Sequence, residues 1–234
     1  MVDLSKIGEL KDNTIVRYNT PEQAKQAAKD LVMKQFELPF EMQREYGVYV
    51  EGRDIVDIAI GDSHRVAVKG IKRLYSPMYN GTIDFYHNHP LDASYVDYPL
   101  SDGDIRGLIR NHVKSVTAYN HLGEYSRVEI TNPWRADQYR WEIFDEIDCH
   151  EVAASLGEEK GMRYNFLYNN MNKESSAELR EEFNILRDEF QNKFKEWSDK
   201  NPQKYAQSAH RAYSAVLPKY GIKYTTNYSN LMNV

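Results

Sequence analysis

Apolar residues recur at steps of three and four from Ala24 through Ala27, Ala28, Leu31, Val32 and Phe36, which predicts a helix with one buried face. Thr20-Pro-Glu-Gln23 just ahead of them supplies a capping hydroxyl, a proline suited to the first turn and a glutamine at the capping-box position. Pro39 closes this region. Between Glu45 and Lys69 the pattern changes to short β-rich runs, 46–50, 54–60 and 64–69, separated by the turn residues of 51–54 and 61–63. These runs predict an antiparallel meander. A further strand at 81–86 leads straight into His87-Asn-His89-Pro90, and the aperiodic stretch 91–100 predicts a loop. Ser101-Asp-Gly-Asp104 opens a second helix running to about Val113, with Ile105, Leu108, Ile109 and Val113 on one side. Two more strands are predicted at 115–119 and 125–130, joined through Asn120-His-Leu-Gly123.

Past Pro133 the character shifts. Residues 134–156, 175–197 and 202–216 are rich in Glu, Lys, Arg, Ala and aromatic residues and predict helices. Leu179, Phe183, Leu186, Phe190 and Phe194 form an apolar stripe on a charged helix. The chain is therefore expected to divide into an α/β part, residues 1–132, and a helical extension, residues 133–234.

Composition narrows the class. The 234 residues are 41% hydrophobic and 28% charged, enough apolar material for a real core. No apolar run approaches the ~20 residues a membrane helix needs, and the first residues carry no signal-peptide core, so the expected location is cytoplasmic. The single cysteine, Cys149, has no internal partner for a disulfide. A net charge of −5 gives no global attraction for nucleic acid.

The candidate chemistry lies in His87-Asn-His89-Pro90 and Ser101-Asp-Gly-Asp104. Alternate residues at a strand end point to one side, so His87 and His89 can present two imidazoles to one ion. Asp104, in the first turn of the next helix, can swing back as a third ligand. Two nitrogens and one carboxylate leave a coordination position open, as in catalytic zinc sites, where a bound water is acidified toward a pKa of ~7. A glutamate as base and the Ser101 hydroxyl as oxyanion donor are the natural complements. Cys149, His64, His112, His121, His150 and His210 are expected to be structural or surface residues.

At these residues the chain resembles the JAMM/MPN (JAB-domain) metalloproteases, whose pattern is a glutamate on an early strand, His-x-His-Pro, a loop, and Ser-x-x-Asp at a helix start. The resemblance covers roughly residues 20–131. It implies an α/β (α+β) fold with a cytidine-deaminase-type mixed sheet flanked by helices. It also implies zinc held by His87, His89 and Asp104, Glu45 as general acid/base, and Ser101 as oxyanion stabiliser. Glu41 and Glu51 compete with Glu45 for the base role. Eleven residues separate His89 from Ser101, a long loop for the family, and Leu100 stands where a proline commonly precedes the serine. The implied activity is hydrolysis of a peptide or isopeptide bond, with a protein or peptide substrate of ubiquitin-like type. Two other functions compete: a non-catalytic MPN-fold interaction module, and a nucleic-acid role, disfavoured by the charge, like that proposed for the RadC-like branch, which shares the letters His-Asn-His-Pro. The helical extension offers a surface for a homo-oligomer or a larger assembly.

Overall fold

A computed structural model of the protein describes residues 16–61, 81–89, 100–110, 113–171, 176–229 and 231. The chain is a mixed α/β protein of two compact units. One takes in the chain up to Asp137 and resumes at Gly221; the other is Gln138–Tyr220.

Among the described residues the first unit carries a seven-stranded sheet. Its strands are β1 (Val16–Arg17), β2 (Tyr46–Glu51), β3 (Asp54–Ile60), β4 (Ile83–Asn88), β5 (Ser115–Tyr119), β6 (Tyr125–Ile130) and β7 (Ile222–Thr226), in the order β1-β3-β2-β4-β5-β6-β7. Only β4 and β5 run parallel; every other neighbouring pair is antiparallel. A parallel pair needs a crossover, and the chain between these two strands contains helix α2 (Asp102–Arg110). Both strands are buried along their whole length, as strands covered on two faces must be.

Helix α1 (Pro21–Met33) covers one face. Ala24, Ala28, Leu31 and Val32 pack against Val48, Val50, Ile55, Ile58 and Tyr86, each large aliphatic side chain contributing about 1.5–3 kcal/mol by leaving water. The helix starts where the capping residues predict. Thr20 Oγ1 accepts from Gln23 N at 3.2 Å, while Gln23 Oε1 reaches back one residue further than a standard capping box, to Asn19 N at 3.1 Å. Side chains alternate along β4, so Tyr86 joins the α1 core and Phe85 and His87 project from the opposite face. Asp84, buried on the Tyr86 side, is compensated by the Ser115 hydroxyl, by Arg127 at 3.3 Å and by Lys25 at 3.5 Å.

The predicted strands at 46–50, 54–60, 115–119 and 125–130 are present, and the strand predicted at 81–86 is β4. The third meander strand, 64–69, lies outside the described residues, as do positions 91–99 of the predicted loop. Three elements depart from the sequence-based expectation in the C-terminal hundred residues, two of them at the ends of the helical part. Ile222–Thr226 is not part of a helical extension but a sheet strand, paired with β6 from Ile130↔Ile222 to Ser126↔Thr226. Its entry is fixed at Gly221, whose φ is +72° and whose carbonyl accepts from Thr131 N at 2.8 Å and Asn132 N at 3.0 Å. The helix expected over 134–156 is broken at Tyr139 into α3 (Pro133–Gln138), capped by Asn132, and α4 (Arg140–Leu156).

In the second unit α4 is followed by α5 (Glu158–Asn170), α6 (Ala177–Lys200) and α7 (Pro202–Val216). Ser176 caps α6, accepting from Leu179 N at 3.2 Å. Phe183, Leu186 and Phe190 of the apolar stripe bury against Val152, Tyr164 and Leu167, with Leu179 and Phe194 at the margin. Helix α5 was not expected from the pattern. It approaches α4 closely through Gly161, where a Cβ would collide with Ala153. Among the described residues no helix is long and apolar enough to cross a membrane.

Candidate metal centre

The site forms where β4 ends. His87 is fully buried, its ring stacked on Phe85 with centroids 5.1 Å apart, and Phe85 stacks in turn on Tyr49. Gly47, paired opposite His87 on β2, presents no side chain beside the imidazole. His89 lies one residue beyond the strand, and its N–H donates to Tyr119 O at 2.9 Å, so the chain keeps following β5 while the second imidazole turns to the same side as the first. The two Nε2 atoms are 3.0 Å apart.

Asp104 comes from the first turn of α2. Ser101 and Asp104 form a reciprocal cap: Ser101 N and Oγ both donate to Asp104 Oδ2, at 2.8 and 2.7 Å, and Asp104 N donates to Ser101 Oγ at 3.2 Å. The cap holds the carboxylate with Oδ1 3.2 Å from His87 Nε2 and Oδ2 3.6 Å from His89 Nε2. Glu45, immediately before β2, is buried and places Oε1 3.6 Å from His87 Nε2.

One ligand atom from each of Glu45, His87, His89 and Asp104 lies within 4.8 Å of every other. Tetrahedral donors bonded at about 2.0–2.1 Å stand about 3.3 Å apart, and the His87–His89 and His87–Asp104 separations, 3.0 and 3.2 Å, fall just short of that spacing. The donor set, two imidazoles with carboxylate, is one that divalent transition metals such as zinc, iron and manganese accept. The two carboxylates beside the imidazoles bring negative charge to the site, which a divalent cation offsets.

The electrostatics point the same way. Burial alone would lower the His87 pKa, but the Asp104 and Glu45 carboxylates outweigh it and raise it above the ordinary histidine value. Burial alone would raise the Asp104 carboxyl, yet the charges and hydrogen bonds of His87 and His89 hold it well below the usual carboxylate range. The site favours positive charge at its centre.

The residues singled out from the sequence are thus placed unequally. His87, His89, Asp104, Ser101 and Glu45 come together. Glu51 sits at the far end of β2, opposite Ile83, and accepts from Thr82 Oγ1 at 2.6 Å. Glu41 is exposed on the short 3-10 turn Phe40–Met42. His121 packs edge-on against Phe36, and His64, His112 and Pro90 lie outside the described residues. One neighbour was passed over in the sequence. Asn88, fully buried between the two histidines, accepts from Tyr46 N at 2.7 Å through Oδ1 and donates to Arg44 O at 2.9 Å through Nδ2. Its only sequence signal is its place inside the His-x-His pair.

Compared with known proteins, the chain matches no protein-family model, no curated protein and no solved structure.

Proposed function

We propose that the protein is a zinc-dependent hydrolase of amide bonds, a metallopeptidase or isopeptidase of JAMM/MPN type acting on a peptide or a ubiquitin-like conjugate. The observation that carries this reading is the convergence of His87 Nε2, His89 Nε2 and Asp104 Oδ1, with pair separations of 3.0 and 3.2 Å to the central His87 nitrogen, beside a fourth, carboxylate-bearing residue. His87, His89 and Asp104 would hold the ion, which supplies Lewis acidity toward a carbonyl oxygen and toward water.

The chain's own groups do the rest. Glu45 Oε1 accepts a proton from the attacking water and returns it to the nitrogen of the departing amine, restoring the carboxylate. His87 is fixed by stacking on Phe85, and Asp104 by the cap of α2, so neither needs to reorganise during the reaction. Ser101 first serves to orient Asp104, since its hydroxyl hydrogen goes to Oδ2. Service to a developing oxyanion takes a turn about its Cα–Cβ bond.

The test is metal analysis of the purified chain together with hydrolysis of peptide and ubiquitin-like conjugates. One zinc per chain, activity abolished by chelation, and Glu45→Gln that at saturating metal still takes up one zinc but loses hydrolysis would support the proposal. A chain that takes up no stoichiometric divalent metal overturns it.

A further inference from the structure

We propose that Asn88 is the positioning residue for Glu45, coupling the strand that carries the histidines to the segment that carries the base; this rests on the metal-site reading above. Strand β4 pairs with β2 only as far as Gly47↔His87. One step further, Asn88 stands opposite Tyr46, but the chain there turns its backbone to β5 through His89 N and Tyr119 O. Main-chain groups of β2 beyond Gly47 would be left without partners from β4, and a buried unpaired backbone group is costly. The Asn88 carboxamide fills the gap. It takes Tyr46 N–H on its oxygen and gives Nδ2–H to the Arg44 carbonyl, at 2.7 and 2.9 Å. The two partners also fix the amide orientation, because a flipped group would set oxygen against carbonyl and N–H against N–H.

Arg44 and Tyr46 flank Glu45. A single side chain with no exposed surface, that of the residue between the two histidines in sequence, therefore grips the backbone on both sides of the glutamate. The Glu45–His87 separation of 3.6 Å is the distance this clamp sets. Aspartate could accept from Tyr46 but not donate to Arg44, and alanine could do neither. Among the twenty side chains, a carboxamide of asparagine length meets both partners.

The experiment is a double-mutant cycle on zinc affinity, measured on the full chain by competition with a chromophoric chelator. Glu45→Gln removes a negative charge beside the ion, and Asn88→Ala lets that charge drift. Each single change is expected to weaken zinc by about tenfold, the lower end of what outer-shell partners contribute. If Asn88 acts through Glu45, the double variant binds within about threefold of the weaker single variant. A residue that merely props the fold would lower the thermal midpoint, and its effect on zinc would multiply with that of Glu45→Gln. Multiplying effects, or an Asn88→Ala with unchanged affinity, overturn the proposal and leave the metal site standing. A wild-type chain that binds no zinc overturns both. If Asn88→Ala does not fold, Asn88→Asp replaces it in the same cycle: it keeps the acceptor for Tyr46 N, and its added charge acts in both backgrounds and cancels from the coupling.

Discussion

His87 Nε2 stands 3.2 Å from Asp104 Oδ1, tying the end of a buried strand to the first turn of the helix that crosses over it. In metal-free protein this pair makes stability depend on pH in a defined direction. Asp104 is depressed, so its contribution is present above the unfolded value of about 3.9 and is lost as pH falls through the folded one. His87 is raised, so its contribution is complete below about 6.5 and disappears as pH rises through its folded pKa. The pair therefore helps most between about pH 4 and pH 6.5. With chelator present, urea midpoints of the wild type should fall relative to Asp104→Asn as the pH is taken from 6 to about 9. Zinc should reverse the trend, because protons compete with the ion for the same nitrogens. Equal pH profiles for the two proteins would remove the pairing.

His89 is the most exposed member of the set. Its side chain is 21% exposed, whereas that of His87 is fully buried. His89→Ala should cost less stability than His87→Ala, because its ring is part-exposed and leaves no closed cavity. Zinc affinity should fall by more than the ~10–100-fold that outer-shell changes cause. The same measurement on His87→Ala should show both losses, since deleting a stacked, buried ring leaves a cavity beside Phe85. Calorimetric zinc titration with a parallel thermal melt separates the two variants.

What the sequence exposed and what it hid have physical causes. Helix α1 was legible because its cap and its apolar stripe are local: Thr20, Pro21 and Ala24 to Val32 carry the whole signal within the segment itself. His87 and His89 were legible as a pair through strand alternation, and Ser101 with Asp104 through the capping box that also serves the site. Strand β7 was not, because Ile222–Thr226 is a sheet-edge segment whose order comes from pairing with β6, far back in the chain. Helix α5 escaped because its buried positions, Gly161, Tyr164 and Leu167, include a glycine that reads as a break. Asn88 escaped because its role is to complete hydrogen bonds of another segment, which no spacing within its own segment reveals. Among the competing glutamates, only the register of β2 against β4 separates Glu45 from Glu51.

Gly221 offers a test of the strand the sequence did not announce. Its φ of +72° is a conformation in which an L-residue costs roughly 1–2 kcal/mol, and a Cβ there would press on Asn132 at 2.5 Å. Gly221→Ala should therefore destabilise the first unit by at least about 1–2 kcal/mol in urea unfolding. Amide exchange should rise along Ile222–Thr226 and its partner β6. Unchanged protection along β7 would mean that the turn at Gly221 does not set its pairing.

Cys149 should be chemically silent in the folded protein. Burial first, then the carboxylates of Asp148, Asp145 and Glu146, push its thiol up to about 12. Only the thiolate is nucleophilic, and at pH 8 such a group is ionised about one part in ten thousand, against about a quarter for an ordinary cysteine of pKa about 8.5. Labelling by iodoacetamide at pH 8 should accordingly be slower than for the urea-unfolded chain by about a thousandfold or more, limited by local opening. Cys149→Ser should leave zinc content and any hydrolysis unchanged, since the thiol lies in the helical unit and none of the grouped donor atoms belongs to it. Rapid labelling of the native chain would show that the α4 segment around Cys149 opens readily. Loss of hydrolysis in Cys149→Ser with zinc retained would move the nucleophile away from the site built by His87, His89 and Asp104.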